Sequence, residues 1–226
     1  MRTPTKAAVA ALGLAGFLLV GAASANEVTF SFDSTQPDFS MFGTPTVSGN
    51  SLTFAPSSFR ATDGAPAYPM ITITVTANAG YFLSGFQLIE TGGYTLPTST
   101  LPTSVDEVSL GGVFEALDIE GTTGNLVSSS ITGPAFTTTG TNLAWTGGAS
   151  LAIPASGWGG PDGLVTSVTL TIDNQLFAFG AGEIWKDAIS VVAVATPVPE
   201  AETYAMMLVG LGLVGFMVRR RSRAVA

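Results

Sequence analysis

The residue types that carry most enzyme chemistry are absent from this chain of 226 residues, which contains neither histidine nor cysteine. Ser-His-Asp and Cys-His nucleophile activation both need an imidazole base and are excluded. So is the two-histidine zinc motif of metalloproteases, and structural zinc and iron–sulfur sites lose their usual ligands. No Gly-rich loop ending in Gly-Lys-Ser/Thr is present to cradle phosphate. The remaining chemistry belongs to oxygen. Two carboxylates flanking a glycosidic bond can hydrolyse it, and Asp118 with Glu120, or Asp106 with Glu107, supply paired acids. In an acidic chain such pairs also arise as plain solvated surface. Calcium, a hard cation, takes oxygen ligands from Asp, Asn and backbone carbonyls; Asp162 in GGPDG and Asp173-Asn174 are the candidates. Turn formation accounts for both sites equally well. A sugar ring stacks on an exposed aromatic, and Trp145, Trp158, Tyr81 and Tyr94 all lie beside glycines where exposure is feasible. Trp158 is the foremost of these candidate glycan contacts, with Trp145 second. A tryptophan next to glycines can equally fold back to cap a core.

Charge narrows the partners. Residues 26–196 hold 14 carboxylates against two bases, Arg60 and Lys186, a charge of about −12 that the basic chain ends conceal in the whole-chain value of −8. Nucleic acid and anionic lipid need clustered Lys and Arg and are excluded as partners of this body. Lys186 is expected to form an ordinary salt bridge with a neighbouring carboxylate. Without cysteine the body has no disulfide, so packing and hydrogen bonds must hold it together.

The elements that would position these residues have a period of two. Val28, Phe30 and Phe32 alternate with polar residues, as do Ile71, Ile73 and Val75, and Val168, Leu170 and Ile172. Such runs read as half-buried strands with threonine on the wet face. The pattern predicts strands near 27–33, 51–55, 70–77, 82–90, 105–110, 113–119, 126–131, 143–146, 164–173, 176–180 and 184–194. Asp63-Gly64, Asn78-Ala79-Gly80, Gly92-Gly93, Gly111-Gly112, Gly147-Gly148 and the segment 159–163 are read as turns between them. Residues 34–69 read as irregular loops around one or two short strands, and 91–104 as a long surface loop. The expected fold is all-β, an antiparallel β-sandwich or jelly-roll-like body of one domain over 26–196.

Both chain ends are targeting segments. Arg2 and Lys6, the apolar run 7–20 and the small residues Ala23-Ser24-Ala25 form a signal peptide over 1–25, with cleavage expected before Asn26. At the other end Thr196-Pro197-Val198-Pro199 reads as a stiff linker. Glu200 follows, then an apolar helix over 204–218 containing Tyr204, Leu208, Gly210, Gly212, Gly215 and Phe216, and then Arg219, Arg220, Arg221 and Arg223. Fifteen helical residues reach about 22 Å against roughly 30 Å of hydrocarbon, a short transmembrane helix with the arginines acting as a cytoplasmic stop-transfer block.

The order Val198-Pro199-Glu200, apolar run, terminal arginines over 197–226 resembles the PEP-CTERM sorting tail, with Ala201 standing where the family has its second proline. The resemblance implies an exported surface or extracellular-matrix protein of a Gram-negative cell. It implies a precursor held in the inner membrane, processing by exosortase, a membrane-embedded transpeptidase, and association with an exopolysaccharide or biofilm matrix. The expected role is that of a non-enzymatic substrate of this sorting system, without a cofactor unless calcium binds. A secreted carbohydrate-binding protein of the matrix and a carboxylate-dependent glycan hydrolase or lyase are the alternatives.

Overall fold

The computed structural model describes residues 26–98, 106–121, 124–198 and 205–213. The signal-peptide residues, Ala23 and Ala25 among them, lie outside these. The strands are β1 (Val28–Ser31), β2 (Thr44–Ser48), β3 (Ser51–Ala55), β4 (Arg60–Thr62), β5 (Met70–Ala77), β6 (Tyr81–Leu96), β7 (Glu107–Asp118), β8 (Leu126–Ser130), β9 (Gly140–Ala152), β10 (Ser167–Phe179) and β11 (Glu183–Pro197). One helical turn, α1 (Phe39–Phe42), precedes β2. One sheet has the order β1-β5-β10-β7-β8 and the other β2-β3-β11-β6-β9, with β4 also paired to β11. Every pairing is antiparallel. The expected antiparallel sandwich is what forms, with one core between the two sheets.

The alternation fixes which side chains enter that core. Along β10 the even positions Val168, Leu170, Ile172, Asn174, Leu176 and Ala178 are buried, and along β6 so are Phe86, Leu88, Glu90 and Tyr94. At one side of the sandwich, α1 inserts Phe42 edge-on between Phe54 and Phe59, each 5.7 Å away between centroids. The edge of β5 beyond β1 is covered by side chains: the Gln36 amide donates to Thr72 O at 3.0 Å and accepts from Thr72 N–H at 2.7 Å. Asp38 accepts the Met70 N–H at 3.1 Å. These groups occupy a strand edge that could otherwise template pairing with another chain.

Three expectations about turns are corrected. Gly92-Gly93, Gly111-Gly112 and Gly147-Gly148 lie inside β6, β7 and β9, which are correspondingly longer than expected. The strands expected at 164–173 and 176–180 are likewise one, β10. At Gly92 the reason is close approach rather than chain reversal: a Cβ there would come within 2.8 Å of the Trp145 ring, and one on Gly93 within 2.3 Å of the Trp185 ring. The two glycines let indoles lie on a strand from neighbouring strands. In the 34–69 region the chain adds β2, β4 and α1, none of which alternation had indicated.

Three polar side chains meet inside the core. Glu90 of β6, Lys186 of β11 and Asn174 of β10 are all buried. Lys186 Nζ donates to Glu90 Oε2 and Asn174 Oδ1, and Asn174 Nδ2 donates to Glu90 Oε1 at 2.7 Å. The ammonium also faces the rings of Phe59 at 5.1 Å and Trp145 at 5.8 Å. A register shift between Lys186 and Ala188 changes the inward phase of β11 from Ile184 and Lys186 to Ile189 and Val191. That bulge at Asp187 is what lets Lys186 point inward without turning the following apolar residues out. The expected salt bridge of Lys186 forms, with Glu90, and it lies inside the core. Burial pushes the Lys186 ammonium below its usual range, with the Glu90 charge and hydrogen bond pulling the other way.

Removing one partner of a buried pair strands the other. Lys186→Met is expected to destabilise the body by about 3–5 kcal/mol, measured as a lowered urea midpoint. Adding Glu90→Gln, which keeps a group to bond Asn174, should restore a large part of that loss.

Candidate functional site

The sequence points to the C-terminal tail, and the structure shows how that tail is rooted. β11 lies between β3 and β6, but β3 pairs with it only as far as Val192, where the Ala193 N–H donates to Asn50 O at 2.9 Å. Beyond a second register shift between Val194 and Ala195, the strand is held by β6 alone: Ala195 faces Leu83, Thr196 faces Phe82 and Pro197 faces Tyr81. The Val198 N–H then donates to Gly80 O at 2.8 Å. The linker expected at 196–199 is therefore corrected, because Thr196 and Pro197 belong to β11 and Val198 bonds to the turn beside it. No spacer separates the body from Val198.

The amino end of the body meets the same turn. The Asn78 N–H donates to Glu27 O at 2.8 Å, and the Asn78 side-chain amide donates to Asn26 O. Both attachment points of the body, Asn26 and Val198, thus bond to the 78–80 turn. On the far side of Val198, residues 205–213 are helical with all nine exposed, including Leu208, Gly210 and Gly212. No helix among the described residues is long and apolar enough to cross a membrane. Pro199, Glu200, Tyr204, Gly215, Phe216 and the four arginines lie outside the described residues.

Residues 197–221 match the PEP-CTERM protein-sorting motif. The chain carries a PEP-CTERM sorting tail. Such a motif implies an exported protein with a C-terminal, membrane-anchored sorting signal that an exosortase processes. The PEP-CTERM match covers only the tail, and no curated protein matches the chain. Among solved structures, the enzymatically active domain of bacteriophage CBA120 tailspike protein 4 aligns at 12% identity and TM-score 0.27, over 74% of this chain and 18% of that one. A xylan-binding module, CBM15, aligns at 14% identity and TM-score 0.22, over 76% and 93% of the two chains. Both scores are too low to bear on function.

The other candidate residues take their places in the body that the PEP-CTERM tail carries. The proposed sugar platforms are corrected. Trp158 is 7% exposed and Trp145 4%, both in the core, and Trp145 Nε1 donates to Gly93 O at 3.2 Å. Tyr94 is buried as well. The aromatics that are exposed went unnoticed in the sequence. Tyr68 is 52% exposed and packs edge-on against Phe177 at 5.2 Å, and Phe179 is 51% exposed. They share the outer face of the β5–β10–β7 sheet with Met70. Asp173 lies opposite Met70, and Glu107 opposite Phe179. The signal that could have found them is phase: once β10 is one strand with Leu176 inward, Phe177 and Phe179 must point out.

The carboxylate pairs are engaged with backbone. Asp118 Oδ1 accepts the Glu120 and Gly121 N–H groups at 3.0 and 3.2 Å, and Oδ2 accepts that of Gly159 at 2.8 Å. Glu120 accepts the N–H groups of Thr166 at 2.6 Å and Ser167 at 2.9 Å. Asp106 accepts from Ala181 at 2.9 Å, while Glu107 is exposed. Together Asp118 and Glu120 pin the 157–167 segment whose Trp158 enters the core. Asp162 accepts the Leu164 N–H at 3.1 Å within its own turn, and no group of three or more acidic, His or Cys residues that could hold a metal occurs among the described residues. Asp162 and Asp173 are not brought together. An open groove of about 740 Å³ between β6, β9 and the end of β8 is lined by Gln87, Ser129, Ser130 and Ser150 and bears no charge.

Burial works to raise the Asp118 carboxyl, but N–H donors from Glu120, Gly159 and Gly121 outweigh it and hold the group below its usual value. A lowered carboxyl adds stability above its unfolded value near 3.9, and that stability disappears as pH falls through the folded value. Asp118→Asn is expected to lower stability at pH 7 by about 1–3 kcal/mol, through weakened bonds to these donors. It should also shrink the further loss on acidification. Urea midpoints at pH 7 and below pH 4 check both.

Proposed function

We propose that this is an exported, non-enzymatic cell-surface or matrix protein that an exosortase-like transpeptidase processes through its tail, the β-sandwich being the delivered cargo. The observation that supports the reading is the PEP-CTERM motif at 197–221, beginning at the last paired residue of β11. At most seven residue steps separate Val198 from the helical segment starting at 205, a reach of about 25 Å. A body tethered in that way hangs close to the membrane surface, with the Val198-Pro199-Glu200 segment outside the bilayer and within reach of a membrane-embedded enzyme. The signal peptide and the tail attach at the same pole, which suits a precursor held at the inner membrane by both ends.

A second reading concerns the cargo. The Tyr68–Phe177–Phe179 surface lies at the end of β10 away from the tail, about 40 Å from its exit along the strand. Ring faces beside Asp173 and Glu107, on a face with no base, suit a neutral or cationic polysaccharide in the matrix. Tyr68 and Phe179 replace Trp158 and Trp145 as its contacts.

Changing Pro199→Ala and Glu200→Gln together is expected to leave the tail uncut, read as the intact mass of protein recovered from the native host. Ordinary trimming of that variant rejects the sorting reading. Tyr68→Ala with Phe179→Ala should abolish retention on neutral or amino-sugar polysaccharide gels while leaving the urea midpoint near that of the parent. Equal retention rejects the second reading.

A further inference from the structure

An enzyme that takes its substrate as an extended strand needs that strand's backbone N–H and C=O groups free to pair with it. In this chain the residues leading into Pro199 already have a strand partner on one side. Ala195, Thr196 and Pro197 face Leu83, Phe82 and Tyr81, and the Val198 N–H is given to Gly80 O at 2.8 Å. We infer that Ala195–Val198 is a releasable strand end, and that the body withholds its own sorting site until these residues unzip from Gly80–Leu83. The inference rests on the exosortase reading above and adds a step to it.

Four features mark these residues as the part that lets go. The register shift between Val194 and Ala195 separates them from the regular ladder above. β3 has ended by Val192, so they are held on one side only. Pro197 has no N–H, and neither has Pro199, so this end of the ladder is thin in donors. The side chains are only partly buried or exposed: Pro197 is exposed, and Thr196 bonds Ser84 Oγ at 3.1 Å instead of entering the core. Opening this end uncovers little apolar surface, in contrast to Val191 and Ala193 just above, which are core residues. Gly80, Tyr81 and Phe82 thereby become positioning residues for a reaction they do not touch.

The absence of native cysteine makes a direct test clean. Facing residues of an antiparallel pair have Cα atoms about 4.5–5.5 Å apart, within the span of a disulfide. Phe82→Cys with Thr196→Cys locks the strand end without altering the matched residues 197–221. Gln87→Cys with Val192→Cys places the same crosslink above the release point. Both full-length variants are expressed in the native host, and the fraction that has lost the arginine tail is followed by intact mass, with and without added thiol reductant. The lower lock is expected to slow trimming by at least about tenfold, with recovery on reduction, while the upper lock is trimmed like the parent. Trimming of the oxidised lower lock at the parental rate overturns the inference with the sorting reading intact. Equal inhibition by the upper lock also overturns it, because release would then involve the whole sheet. A parent chain that is never trimmed rejects the sorting reading itself.

Discussion

The Glu90–Lys186–Asn174 cluster is the constraint around which this sandwich is built. Two of its members stand on neighbouring strands of one sheet and the third on the central strand of the other, so the hydrogen bonds cross the core. A lone ammonium or carboxylate there would be strongly destabilising, whereas here carboxylate, amide and aromatic rings account for the ammonium's surroundings. No buried side-chain polar atom among the described residues lacks a partner. The arrangement demands particular things of its neighbours. The bulge at Asp187 aims the lysine, and Gly92 leaves room for the indole it faces. Register across the core is fixed because slipping either strand by one residue would carry a charge or amide out of its triangle.

The acidic composition reads differently once the partners are known. Asp118, Glu120 and Asp106 accept the N–H groups of Gly159, Thr166 and Ala181, which lie outside the strands, and Asp38 accepts that of Met70 at the edge of β5 beyond β1. A chain with no disulfide uses carboxylates where a crosslinked secreted domain would use sulfur. Both bases of the body are also paired, Lys186 within the core and Arg60 with Glu183 at 2.9 Å beneath a contact to the Trp185 ring. The outer surface is left almost purely anionic, and the surface aromatics of the β5–β10–β7 face stand among acids.

The period-two pattern was enough to read strands at 27–33, 51–55, 70–77 and 126–131 and to read an antiparallel sandwich from them. It misled where glycine pairs interrupted it, since Gly92-Gly93 serves close indole packing and a turn needs the same residue type. The same splitting hid the phase of β10, and with it both Asn174 pointing in and Phe177 and Phe179 pointing out. Continued through Leu88-x-Glu90 and Ile184-x-Lys186, the alternation places two charges at core positions, a conflict that itself signals a buried pair. The tail motif was fully legible because it is a linear order of parts. Its fusion to β11 was not, because Pro197 in a strand's last position looks from sequence like the start of a linker. Trp158 could not be assigned from its neighbours: its glycines are shaped by Asp118, forty-one residues away in the chain.

The position of β11 also decides how the protein bears tension. Any pull applied through the C-terminal tether enters at Val198 and runs along the axis of a strand that is interior to its sheet. Past the short end held by β6 alone, the load meets ladders on both flanks, and these resist by sliding together instead of parting one bond at a time. An edge strand in the same role would peel. A body attached in this way can lose its last few pairings to a small force and still transmit a much larger one through the rest of the sheet.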